Sequence, residues 1–97
     1  MVIKMGSKRS ISSGKLYNSE SIVSTECFLI DAILMDGGTD AKVTFYDSEN
    51  EDIVDALEVG FISQKVPKLD CSKHCLHGIY AKVENGATFM VGYNLRG

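Results

Sequence analysis

Two apolar runs joined by a short polar connector constrain this chain more than any other feature: residues 27–35 (CFLIDAILM) and 41–46 (AKVTFY), with Asp36-Gly37-Gly38-Thr39-Asp40 between them. The second run alternates, Val43 and Phe45 on one side, Thr44 and Tyr46 on the other. That period of two lets a strand bury one face. In the first run Cys27, Leu29, Asp31, Ile33 and Met35 share one side, and Phe28, Ile30, Ala32 and Leu34 the other. Both sides are largely apolar, which predicts a strand covered on both faces. Two glycines in a short polar loop between such runs predict a β-hairpin connection.

The same periodicity extends along the chain. A strand is predicted from residue 22 to 35; a helix is its rival there, and the Gly37-Gly38 stop and the alternating partner run favour the strand. Another covers 53–62, with Leu57, Val59 and Phe61 on one face, and a single helical turn fits at 53–57. Residues 77–83 place Ile79, Ala81 and Val83 together, and 88–94 place Phe89, Val91 and Tyr93 together. Asn85-Gly86 lies between these last two runs, and both residue types accept the positive φ of a type I′ hairpin turn. Residues 64–73, which contain the only proline, Pro67, read as a connection. Five or six strands and no convincing helix predict a single all-β domain over residues 22–97, an antiparallel β-sandwich or barrel, with a jelly-roll-like sandwich the expected form. Residues 1–21 are rich in Ser, Gly and Lys/Arg, which is the composition of an extended N-terminal arm. The arm, carrying Lys8-Arg9, is expected to lie along a neighbouring molecule, and the domain to keep its fold without residues 1–15.

Composition narrows the classes of function. A chain of 97 residues makes one domain and buries only about 60–65% of its unfolded surface, so oligomerisation is a natural supplement to its core. The net charge of −3 argues against a nucleic-acid partner. No apolar stretch reaches the about 18–20 residues of a membrane helix, and the first residues, MVIKMGSKRS, lack the apolar run of a secretory signal. Three cysteines, Cys27, Cys71 and Cys75, without such a signal fit free thiols in a reducing compartment.

Candidate chemistry is sparse. Cys71, His74, Cys75 and His77 have the residue types of a zinc site. All four fall within seven residues, whereas structural zinc draws on two separated pairs, so the plainer reading is a buried Cys75 and two loop histidines. The same residues offer a Cys–His nucleophile pair, with no base, oxyanion site or cleft in the pattern to complete it. Acidic residues at 47, 49, 51, 55 and 58 match five positions of a calcium loop, but Asp52 stands where that loop needs glycine. A solvated acidic loop is the expectation there. Tyr17, Tyr46, Tyr80 and Tyr93 could line a sugar-binding face, although amphipathic packing is the commoner use. No catalytic, cofactor-binding or metal residues are assigned.

The run Asp36-Gly-Gly-Thr-Asp-Ala-Lys-Val-Thr-Phe-Tyr-Asp47 resembles a pattern of small tailed-phage virion proteins: an apolar strand, a Gly-rich connector, "DA", an alternating strand and a polar loop. Cys75-Leu-His-Gly-Ile-Tyr-Ala-Lys-Val83 is similar to the same family's C-x-x-G-L-Y-V-x-V. The resemblance covers about residues 24–94 and is built of common β residues. This chain departs from the pattern in its acidic 47–55 loop, in residues 71–74, and in Lys68-Leu69 where the family commonly has Phe-Pro. The resemblance implies a non-enzymatic virion structural protein, foremost a capsid decoration (cement or head-fibre-base) protein. It would be made in the host cytoplasm and assembled, as a homotrimer, with the major capsid protein on the outer shell. The alternative is a β-sandwich binding module of a phage fibre or tail component, recognising a sugar or protein ligand.

Overall fold

Eight strands build two four-stranded antiparallel sheets in a computed structural model that describes residues 11–95. They are β1 (Ile11–Ser12), β2 (Glu20–Val23), β3 (Cys27–Gly37), β4 (Lys42–Asp47), β5 (Leu57–Ser63), β6 (Lys68–Cys75), β7 (Ile79–Glu84) and β8 (Ala87–Asn94). The first sheet has the order β1-β8-β3-β6, and the second β2-β7-β4-β5. All described strands pair antiparallel.

The core is the layer between the sheets. Leu29, Ala32, Leu34, Phe89 and Val91 enter from the first sheet, and Val43, Phe45, Ile62, Ile79 and Ala81 from the second. Phe45 and Phe89 meet edge-on across the layer, ring centroids 6.1 Å apart, the arrangement that suits aromatic quadrupoles. Burying such side chains is the main favourable term in holding the sheets together, about 1.5–3 kcal/mol for each large one.

Strands predicted from alternation at 41–46, 77–83 and 88–94 are present; their pairing differs from expectation. Residues 36–40 do not close a hairpin: β3 belongs to the first sheet and β4 to the second, so the connector is a corner between layers. Asn85 and Gly86 do take positive φ, 60° and 67°, yet β7 and β8 also lie in different sheets. A local turn signal reports backbone conformation and not the partner of the strands beside it. The two corners meet at one end of the sandwich, where the Asn85 side-chain amide donates to the Asp40 carbonyl at 2.9 Å.

Three further differences have physical causes. Residues 22–35 split into β2 and β3 at Ser24-Thr25-Glu26. Within β3 the pairing shifts between Leu29 and Asp31. This bulge moves one residue out of step, so Cys27 and Leu29 share the core with Ala32 and Leu34, and Ile33 and Met35 face out. The predicted connection at 64–73 contains most of β6, an edge strand whose residues are exposed except Leu69 and Cys75; exposure on an edge lets a strand carry polar residues and lose its alternating signature. In the 53–62 segment the strand starts only at Leu57, after a turn closed by Ala56 N–H donating to the Ile53 carbonyl at 3.2 Å.

Residues 1–10 of the predicted arm lie outside the described residues. From Ile11 onward the segment is part of the sheets. Ile11 and Ser12 pair with Tyr93 and Gly92, Ser13 N–H donates to the Val91 carbonyl at 2.8 Å, and Leu16 exchanges backbone bonds with Phe89. Glu20 and Ser21 already belong to β2.

Candidate functional site

The outer surfaces of the two sheets are where this fold gathers chemistry. On the first sheet, β3 buries Cys27, Leu29, Ala32 and Leu34 and turns Phe28, Ile33 and Met35 outward. Ile33 is 42% exposed and Met35 45%. Met90 of β8 is the partner of Ile33 and, lying between the buried Phe89 and Val91, points the same way. Apolar side chains thus line the centre of the outer face, with Asp31, two residues before Ile33 on the same side of β3, set among them. Lys68 of β6 stands opposite Ile33 at its edge. At one end the His74 ring stacks on Phe28, centroids 4.7 Å apart, and its Nε2 meets Glu26 Oε2 at 2.6 Å.

The second sheet's outer face is aromatic and polar. Tyr46 and Tyr80 are direct partners on β4 and β7. Thr44 stands between Lys82 and Phe61, and the Lys42 ammonium sits over the Phe61 ring at 4.8 Å. Of the four tyrosines considered for a ligand face, the fold brings Tyr46 and Tyr80 together. Tyr93 packs against the core and Tyr17 is exposed near the 36–38 corner.

The four residues of zinc-ligand type, Cys71, His74, Cys75 and His77, do not converge. Cys75 enters the core, and His74, its neighbour in a strand, points to the outer face. Cys71 is exposed with its thiol 3.4 Å from the Leu29 carbonyl, and His77 lies in the β6–β7 turn. The same divergence separates the Cys–His pair. No cluster of three or more His, Cys, Asp or Glu side chains able to hold a metal occurs among the described residues.

The chain finds no match among family models, curated proteins or solved structures.

Asp47, first residue of the calcium-like run, has a different use. Its Oδ2 accepts from Leu76 N–H at 3.0 Å, and its Oδ1 from His77 N–H at 2.7 Å and Gly78 N–H at 3.3 Å. It is 8% exposed. The carboxylate pins the crossover from β6 to β7 against the end of β4. Next to it, Gly78 (φ 145°) runs so close to β2 that a Cβ would stand 2.2 Å from the Val23 carbonyl oxygen. The rest of the acidic loop orders itself: Asn50 N–H donates to Ser48 Oγ, and Asp52 N–H to Asn50 Oδ1. The loop borders an open cleft of about 300 Å³ with His77. Sequence reasoning missed the Asp47 clamp because its three partners are backbone groups about thirty residues away.

Proposed function

We propose that this chain is a non-enzymatic virion structural protein of the tailed-phage kind, a jelly roll that assembles as a homotrimer and binds the outer capsid shell as a decoration protein. The observation that carries the reading is the set of apolar side chains Phe28, Ile33, Met35 and Met90 on the outer face of the first sheet. A second copy of the chain is its occupant in this reading. Strand order supports the jelly-roll assignment. The pairs β1·β8, β2·β7, β3·β6 and β4·β5 are nested, as if one long hairpin had been rolled until β8 met β3 and β7 met β4. Viral capsid and lectin domains share that architecture, and fold by itself leaves function open. The sequence resemblance selects the virion. Lys8-Arg9, outside the described residues, is assigned the shell contact.

Native mass spectrometry at micromolar protein tests the assembly. The expected species is a trimer that Ile33→Lys with Met35→Lys converts to monomers of unchanged circular dichroism. A wild-type monomer at about a hundred times that concentration would refute it. A gene for a major capsid protein beside this one is expected; its absence from a phage genome carrying the chain counts against the shell assignment.

The Tyr46–Tyr80 pair favours one second reading, a fibre or tail module that stacks a sugar ring on the second sheet. A glycan screen in which binding is lost in Tyr80→Ala would establish it.

A further inference from the structure

We propose that Cys27 and Cys75 form a latent disulfide, a modification site that staples edge strand β6 to β3 when the protein meets a soluble disulfide oxidant. The two residues are direct partners on adjacent antiparallel strands. Opposed residues in such a ladder have Cα atoms about 4.5 or about 5.5 Å apart, and both separations lie within the roughly 4.4–6.8 Å span of disulfides. The Cys75 thiol donates to the Lys73 carbonyl at 3.7 Å, and the two thiols, both turned into the core from opposed positions, are close enough to act on each other electrostatically. Both are free and 0% exposed. The third cysteine is also free but is placed differently. Cys71 is exposed, its Sγ lies 3.4 Å from the Leu29 carbonyl, and its strand neighbour Ser72 takes a φ of 54° at the shift in pairing between β3 and β6.

Burial decides the route. Neither thiol reaches solvent in the closed sandwich, but β6 is an edge strand bonded only to β3 in its sheet, and residues 70–74 are exposed. Edge strands open locally at less cost than the core, and opening β6 uncovers Cys75. Its thiolate then attacks one sulfur of oxidised glutathione. The glutathione S–S bond breaks, a Cys75–glutathione disulfide forms, and one glutathione thiolate leaves. Before β6 closes, the Cys27 thiolate, uncovered by the same opening, attacks Cys75 Sγ and expels the second glutathione, and β6 then closes over the new disulfide. Two electrons pass from the cysteine pair to glutathione, and the two thiol protons finish on the two glutathione molecules.

The test uses Cys71→Ser, which removes the exposed thiol. The protein is held with oxidised glutathione at pH 8, a few degrees below its Tm, then denatured for thiol counting and intact-mass measurement. Expected are loss of both remaining thiols, a mass lower by two hydrogens with no glutathione adduct, and a Tm raised by about 5 °C or more relative to the reduced form. Persistence of both thiols, or a stable glutathione adduct on Cys75 with Cys27 still free, overturns the proposal. In the wild-type chain, peptide mapping is expected to show Cys27 joined to Cys75; a bridge from Cys71 to either of them overturns it independently of the variant.

Discussion

A single carboxylate does most to hold one end of this sandwich together. Asp47 takes three backbone N–H bonds from a crossover that has no ladder partner of its own. Removing it leaves those donors without their acceptor, the buried Gly78 N–H above all, so Asp47→Ala is expected to cost about 2 kcal/mol, read from urea denaturation, with Asp47→Asn costing less because one acceptor oxygen survives. Gly78 beside it leaves no room for a methyl group against the Val23 carbonyl. Gly78→Ala is therefore expected to cost more, about 3 kcal/mol, whereas Gly86→Ala, in open space at φ 67°, pays only the strain of a left-handed backbone, about 1 kcal/mol. The buried thiols set a pH limit. Burial, reinforced by the neighbouring thiol and the Asp47 charge, pushes Cys27 up to about 12; burial and then Asp47 push Cys75 up to about 11. An unfolded cysteine ionises near 9.0. Both raised values favour the folded protein fully below that pH, and the contribution is lost as pH climbs through the folded values. Urea midpoints should thus fall from about pH 9 toward pH 11 under reducing conditions, and Cys75→Ala should flatten part of the slope.

At the scale of elements, what the sequence discloses is periodicity, and what it conceals is partnership. The alternations around Val43, Ala81 and Phe89 were legible because each strand keeps its large apolar side chains on one face, in β4 even though Thr44 on the other face is also buried. The corner at Asn85-Gly86 was legible as positive φ but not as a change of sheet, because φ is local and the pairing of β7 with β4 spans the chain. β6 was illegible because its residues face water on an edge. The bulge in β3 has no sequence signature either, yet it chooses which of Ile33 and Leu34 is core. Of the candidate site, the double-sided apolarity of residues 27–35 was visible at once; the opposition of Tyr46 and Tyr80 needed the register. In segment 11–16 Ser, Gly and Lys suggest an arm lying along a neighbouring molecule, while backbone bonds to Val91 and Phe89, joined by Val91 N–H donating to Ser13 Oγ, make it the border of the first sheet. Deleting residues 1–16 uncovers one edge of β8 and removes Leu16 from the core. The Tm is expected to drop by about 5 °C or more in calorimetry, in place of the tolerance that composition alone suggests.

For the whole molecule, each nested pair encloses the next, from β1·β8 outside to β4·β5 inside. Nesting has a kinetic reading. The innermost pair joins residues 47 and 57 across a short loop, while the outermost joins residue 11 to residue 93. Chain closure costs more entropy as the enclosed loop lengthens, and pairings remote in sequence slow folding to milliseconds or seconds. Folding is therefore expected to start where β4 and β5 pair and to spread outward, β1 docking on β8 after the rate-limiting barrier. Stopped-flow chevrons should report it: Ile62→Val is expected to slow refolding, and Leu16→Ala chiefly to speed unfolding. The strand added last is then β1, the border of the first sheet outside β8, so that border is expected to be the part of the domain that opens and re-forms most readily after the rest has set.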